Sequence, residues 1–151
     1  MADFEWVEQA HADAILALLR AALPISPPLV VYDGAAPDDP AEAYVLVYLA
    51  TTTPSGTSLT SVHDKAVTRA YCHCIGRTKL PGNAATAARA VAGRVSYALL
   101  NITPTIAGRV VFPIRDDGSD NPPQRQEATG WTVLDRTLVF RLESGPARTL
   151  P

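Results

Sequence analysis

The stretch that decides the fold is residues 83–100, which read NAATAARAVAGRVSYALL. Its apolar residues recur at the spacing that lines one face of an α-helix, at Ala84, Ala88, Val91, Val95 and Leu99. Asn83 follows a Pro-Gly break and can accept a hydrogen bond from an amide of the first helical turn. Because the apolar stripe begins with alanines, we expect this helix to lie close against a sheet.

The remaining patterns predict a second helix and a set of strands. Apolar spacing indicates a helix over residues 8–23, which Pro24 ends. The segments that read as strands are 29–32, 44–52, 65–75, 108–114 and 131–142. This order predicts an α+β domain, with a mainly antiparallel sheet of about four to five strands and two helices packed on one face.

Two of these strands carry information about what covers the sheet. Residues 44–52 are apolar on both faces, so the strand is either covered twice or covered once and buried in an assembly. Residues 65–75 alternate. Their small side (Ala66, Thr68, Ala70, Cys72, Cys74) suits the alanine-rich helix, and Val67, Arg69, Tyr71, His73 and Ile75 face the other way.

Length and composition predict a single domain over residues 1–151, with residues 1–7 and 144–151 as flexible ends. The segment 53–64 is too polar to pack, and 115–130 lacks periodicity, so it is either functional or mobile. No apolar run is long enough to cross a bilayer, and the acidic start lacks the basic region of a signal peptide. We therefore expect a soluble intracellular product.

Charge is strongly segregated along the chain. Residues 1–64 hold nine acids against one base, whereas residues 65–114 hold seven bases and no acid. Seven bases in this segment resemble a phosphate-contacting patch, but the acidic pI and the lack of a stacking pattern among the aromatics disfavour sequence-specific nucleic-acid binding. Such polarity fits either an electrostatic seam inside the monomer or complementary faces that meet between copies.

The search for chemistry returns no strong candidate. In Cys72-His73-Cys74, strand geometry puts both thiols on one side and the imidazole on the other, so at most two of the three can share a metal ion. There is no Gly-x-Ser-x-Gly elbow and no Gly-rich phosphate loop. The adjacent acids Asp38-Asp39 and Asp116-Asp117 read as solvated loop charge. We predict no enzymatic activity, no cofactor and no metal.

The order of elements resembles the tail-terminator (tail-completion) proteins of long-tailed bacteriophages. The resemblance spans residues 8–143. It rests on the N-terminal helix, the stretch 29–34 with its acidic loop, residues 44–47, the Ser/Thr-rich hairpin loop, Gly76-Arg77-Thr78 before the alanine-rich helix, Gly108-Arg109, and the terminal strand 131–135. The Cys72-His73-Cys74 strand departs from the family's pattern.

The resemblance implies a structural virion protein at the junction of tail and neck, assembled in the host cytoplasm. Members of the family form a six-fold ring that caps the tail tube, stops its polymerisation and contacts the head-completion (stopper) proteins. Genomic DNA passes through the ring without sequence-specific binding, and no membrane is involved. No catalytic residue is implied.

A ring needs one patch to meet a different patch on the neighbour, which the segregated charge could provide. The candidate interface residues are the acids Asp38, Asp39 and Glu42 and the bases Arg69, Arg77, Lys79, Arg89 and Arg94. The candidate partner-contact residues lie in the loops, at Thr57, Ser58, Leu59, Asp116, Asp117, Gln124 and Arg125. The alternatives are another neck component such as a stopper or adaptor, a monomeric or dimeric binding module, and, least favoured, a small hydrolase.

Overall fold

The computed structural model describes residues 2–21, 28–52, 65–79, 83–119, 122–128 and 130–147. For residues 2–5, 127 and 128 it describes the backbone alone. The helices are α1 (Ala2–Ala21) and α2 (Ala85–Leu99). The strands are β1 (Val31–Asp33), β2 (Ala43–Thr52), β3 (Ala66–Lys79), β4 (Arg109–Val111), β5 (Arg115–Asp116), β6 (Gln124–Ala128) and β7 (Trp131–Pro146). The predicted α+β class is confirmed.

The sheet is built around β3 and β7, which pair antiparallel from Ala66↔Ser144 to Lys79↔Trp131. The strand order is β1-β2-β3-β7-β4, and β5 and β6 also pair with β7. Since β3 occupies one edge of β7, the three short strands β4, β5 and β6 share its other edge. Among the described strands, β1 alone runs parallel to its neighbour, which is β2.

Both helices pack on the same face of this sheet, which we call the inner face. The small side of β3 lies there as predicted, and its residues Ala66, Thr68, Ala70, Cys72 and Cys74 are all buried. Val91, Val95 and Leu99 of α2 are buried against it. The helix begins at Ala85, whose N–H donates to Asn83 Oδ1 at 2.9 Å, so Asn83 satisfies a first-turn amide as expected.

Gly76 sets how closely α2 approaches β3. A Cβ at this position would lie 2.4 Å from the carbonyl oxygen of Ala84 and 2.7 Å from the amide nitrogen of Ala88. Both atoms are backbone, so no side-chain rotation could make room. The helix can therefore pack this close to β3 only because residue 76 has no side chain.

Several predicted boundaries are wrong. The helix predicted over 8–23 begins at Ala2, so residues 2–7 are helical, and the rest of that prediction past Ala21 lies outside the described residues. The strand predicted over 65–75 continues to Lys79, because β7 pairs with it to the end. The strand predicted over 108–114 is only Arg109–Val111, since Pro113 has no N–H and the Ile114 N–H donates instead to the Ile102 carbonyl.

Two segments are more ordered than predicted. Residues 115–130 contain β5 and β6. The sequence did not predict β6, because it is an exposed polar edge strand without apolar alternation. The tail expected to fray from 144 is strand as far as Pro146, and the Ala147 N–H donates to the Gly108 carbonyl. The loop 53–64 and residues 148–151 lie outside the described residues.

A buried polar network explains why Ser144 is ordered. Its hydroxyl lies 2.6 Å from His11 Nε2, and the other ring nitrogen, Nδ1, lies 2.7 Å from Thr68 Oγ1. Thr68 Oγ1 in turn lies 2.7 Å from Thr51 Oγ1, and Arg109 Nε donates to Ser144 Oγ at 3.0 Å. The network thus ties α1, β2, β3, β4 and β7 together, and it holds a neutral imidazole with one donor and one acceptor nitrogen.

Substitutions at two glycines should have opposite effects on stability. Gly76→Ala should cost about 1–3 kcal/mol, because α2 must shift away from β3. Gly93→Ala, in the exposed part of α2 where a Cβ would meet nothing within 4 Å, should add about 0.5–1 kcal/mol through helix propensity. Urea unfolding of the two variants measures both effects. A Gly76→Ala protein as stable as Gly93→Ala would contradict the assigned seat of the helix.

Stability should depend on the protonation of His11. Burial, followed by the charge of Arg109, lowers the pKa of His11 from 6.5 to about 4. Below pH 6.5 the unfolded chain binds a proton that the folded chain resists, so stability is fully present above 6.5 and falls towards pH 4. The total loss is on the order of 3 kcal/mol. Between about pH 5 and 6.5, the free energy of unfolding should change less with pH for His11→Gln than for the original chain. An equal pH dependence would exclude His11 as its source.

Candidate subunit interface

The outer face of the sheet, opposite the helices, displays aromatic side chains at its centre. Tyr48 of β2 and Tyr71 of β3 lie directly opposite each other in the register, and they are 44% and 36% exposed. The His73 ring meets the Tyr48 ring edge-on, with centroids 5.6 Å apart. Among the described residues no helix lies on this face, but Tyr44 of β2 is buried there beside the Tyr32 ring.

His73 is held by two neighbours on β7. Its Nδ1 lies 2.7 Å from Asp135 Oδ2 and 3.2 Å from Thr137 Oγ1. A hydrolytic triad needs the carboxylate on one ring nitrogen and the nucleophile on the other, but both partners here lie at Nδ1. The cluster therefore orients the imidazole and does not activate Thr137 as a nucleophile.

Three ion pairs give the outer face a basic exterior. They are Lys65–Glu143 at 2.8 Å, Arg69–Asp117 at 2.6 Å and Arg141–Glu143 at 3.2 Å. In each pair the basic side chain is the more exposed, at 53%, 43% and 41%, against 21–25% for the carboxylates. An approaching molecule therefore meets the cations first, while the carboxylates lie beneath them.

The outer face continues to the β4 edge of the sheet. The Phe112 N–H donates to the Glu143 carbonyl, and the Val110 and Phe112 side chains are each about half exposed. A cleft of about 190 Å³ lies beside them, lined by Phe112, Pro113, Arg115, Arg141 and Glu143.

At the opposite edge, the connection between β1 and β2 forms an acidic surface. We call residues 33–42 the acidic crossover. Its four carboxylate side chains, Asp33, Asp38, Asp39 and Glu42, are all exposed. Both ends of the crossover are fixed to the sheet, because the Gly34 N–H donates to the Val47 carbonyl at one end and the Arg77 N–H donates to the Glu42 carbonyl at the other.

Arg77 anchors the acidic crossover within its own chain. Its Nη1 donates to the Pro40 carbonyl at 2.6 Å, and its guanidinium lies 4.5 Å from the centre of the Trp131 ring. Asp39 Oδ1 is 3.9 Å from the same Nη1, but the Asp39 side chain is 97% exposed and the pair is correspondingly weak. Arg77, with 14% of its side chain exposed, is therefore a structural residue of the monomer.

The predicted interface residues do not form one patch. Arg77 meets Pro40 and Asp39, and Arg69 meets Asp117, all within a single chain. Lys79 is exposed at the end of β3 and lies 5.5 Å from the centre of the Trp131 ring that Arg77 also contacts. Arg89 is exposed on α2, and Arg94 of α2 is half-buried. Asp38, Asp39 and Glu42 remain available to a partner.

The predicted partner-contact residues are likewise dispersed. Thr57, Ser58 and Leu59 lie outside the described residues, whereas Gln124 and Arg125 are exposed on β6. Asp116 is exposed, and hydrogen bonds from Ser119 and then Gly118 lower its pKa. Asp117 is tied to Arg69.

Sequence reasoning missed Tyr48 and Tyr71 as site residues. Alternation placed Tyr71 on the side of β3 away from the helix, and the same period in β2 places Tyr48 on that side. That signal was present, but it does not say that the two rings stand side by side, because the pairing register links residues far apart in sequence.

The cysteine strand behaves as its alternation predicts. Cys72 and Cys74 are fully buried on the inner face, and His73 lies on the outer face. Burial raises the pKa of the Cys72 thiol to about 12 and also raises that of Cys74, so both are poor nucleophiles and poor metal ligands. Across the described ranges, no group of three or more His, Cys, Asp and Glu side chains is placed to hold a metal ion. Within the same ranges, neither helix combines the length and apolar character required to cross a bilayer.

Solved structures with a similar fold include the following two. The first is a chain from the virion of a native gene transfer agent particle, with a TM-score of 0.61 and 23% identity over 87% of this chain and 92% of that one. The second has a TM-score of 0.58 and 15% identity over 95% of this chain and 96% of that one. No protein-family model and no curated protein matches the chain. At these identities the matches show a common fold.

The contrast between Arg77 and Asp39 can be measured. Arg77→Gln should destabilise the protein by about 1–3 kcal/mol, because it removes the hydrogen bond to Pro40 and the contact with Trp131. Asp39→Asn, the matched control, should change stability by less than about 0.5 kcal/mol, because its carboxylate is exposed. Denaturant unfolding compares the two. Equal effects would mean that the ion pair, rather than the backbone anchor, holds the crossover.

Proposed function

We propose that this protein is a structural component of a phage-like virion, and specifically a tail terminator whose six copies form a ring on the tail tube. The observation that carries the proposal is the fold match, over nearly the whole of both chains, to a chain of the gene transfer agent virion. The order of elements, which resembles the tail-terminator family, supports it independently of that match.

In this proposal the protein has no enzymatic role. Its partners are five further copies, the tail tube, a head-completion or stopper protein, and genomic DNA that passes through the ring without sequence-specific contacts. The site would be the junction of tail and neck, after assembly in the host cytoplasm. The placement of Asp135 and Thr137 on the same nitrogen of His73 supports a non-catalytic reading of the most suggestive polar cluster.

The surface of the monomer is suited to a closed ring. In a cyclic assembly each subunit uses two different patches, one towards each neighbour. The outer face carries exposed tyrosines and cations, and the β1 edge carries the exposed carboxylates of the acidic crossover. These patches are distinct and opposite in character, which favours a head-to-tail contact over a symmetric dimer.

Deletion of the gene tests the terminator role. Without the protein, tail tubes should continue to polymerise, so electron microscopy should show overlong tails. Native mass spectrometry of the purified protein, or of capped tails if the free chain is monomeric, should give six copies. Tails of normal length after deletion would exclude the terminator. If those tails also lacked heads, the result would favour a stopper or adaptor instead.

Charge reversal tests the acidic patch. Asp38→Lys, Asp39→Lys and Glu42→Lys together should leave the monomer folded, because all three side chains are exposed and the Arg77 anchor uses backbone carbonyls. Capping should nevertheless fail, because like charges would then face each other. Reversal of Arg89 to Glu, on the helix side, serves as a control of matched exposure. Tails of normal length from the triple variant would remove the acids from the interface.

A further inference from the structure

We propose that the acidic crossover of one copy docks on the outer face of the next copy's sheet, around Tyr48 and Tyr71. This rests on the proposed ring, and it adds which surfaces meet and which residues anchor the contact. The partner is thus a second copy of this chain, which presents an exposed carboxylate loop to an aromatic and basic surface.

The aromatic centre supplies the apolar part of the contact. Tyr48 and Tyr71 stand opposite each other on adjacent strands, both exposed by more than a third, with His73 packed edge-on against Tyr48. Tyrosine is enriched among the residues that dominate binding at protein interfaces, because its large ring loses little conformational entropy. Their position on strands, rather than on a loop, means that this surface is already formed before the partner arrives.

The charges around this centre match the crossover. Lys65 and Arg141 both pair with Glu143, and Arg69 pairs with Asp117. In each pair the cation is the more exposed partner. Asp38, Asp39 and Glu42 are all exposed on the crossover. Two outer faces meeting each other would bring like charges together, whereas the crossover of a neighbour brings opposite ones.

The crossover cannot serve this surface within its own chain. It is fixed to its own sheet by hydrogen bonds from Gly34 to Val47, from Arg77 to Glu42 and Pro40, and from Ala41 to the Tyr32 hydroxyl. With the crossover in that position, Tyr48 and Tyr71 are still exposed. A neighbour's crossover is held in the same defined shape, so it docks as a preformed edge.

Cross-linking between two differently marked chains tests the contact. One chain carries Asp38→Cys and the other carries Tyr48→Cys, and the mixture is assembled and treated with a short bismaleimide. The two native thiols do not interfere, because burial raises their pKa values. A cross-linked pair should form between the marked chains. The control replaces Tyr48→Cys with Arg89→Cys, which is exposed on α2 on the other side of the sheet and should give no product.

A second measurement does not depend on engineered thiols. The double variant Tyr48→Ala and Tyr71→Ala should weaken self-association by about tenfold or more, whereas Tyr97→Ala should leave it unchanged. Tyr97 is the control because it is 69% exposed on α2, so the substitution removes an even more accessible ring from the helix side. Unfolding curves of all variants establish that each is folded.

The outcomes separate this inference from the proposed function. Six copies with a cross-link from Asp38→Cys to Arg89→Cys, or with association lost in Tyr97→Ala alone, would keep the ring and overturn the docking surface. A chain that is monomeric both free and in purified particles would overturn both. Six copies with the Tyr48→Cys product and the tyrosine effect would support both.

Discussion

The close contact between α2 and β3 is the constraint on which the rest of the structure depends. Gly76 has no room for a Cβ, and the positions before it on the inner face of β3 are Ala, Thr or Cys, so the alanine-rich side of α2 can lie almost against the strand backbone. Close packing of this kind excludes water from the inner face and makes the large side chains around it, such as Phe140 and Leu142, the body of the core.

A buried polar network joins the other helix, α1, to the same sheet. His11 reaches across from α1 to Thr68 and Ser144, and all three side chains are fully buried. Burying polar atoms is tolerable only when each finds a partner, and here the imidazole uses both nitrogens. The end of β7 is ordered as part of this network and by its pairing with β4, which explains why a segment of small and polar residues is strand rather than a frayed tail.

Placing both helices on the inner face leaves the outer face with a different role. On that face the exposed Tyr48 of β2 stands beside Tyr71, on a surface rimmed with cations. Such a face on a small domain is typical of a contact with another molecule. The acidic crossover at the neighbouring edge is the complementary surface on the same chain, and the proposed ring joins the two without requiring any further component for closure.

The sequence by itself determined the features that depend on local period. Helical spacing predicted α2 and its buried stripe, and two-residue alternation predicted which side of β3 meets the helix, because both periods follow from backbone geometry alone. The segregation of charge was also evident from the sequence, because charged residues can be read directly from the order of amino acids. Only the tertiary structure decided how distant segments pair. It shows that β7 continues to Pro146, that Tyr48 lies opposite Tyr71, and that Arg77 donates a hydrogen bond to the Pro40 carbonyl of the same chain. Register and long-range hydrogen bonds join residues tens of positions apart, and no local pattern specifies them.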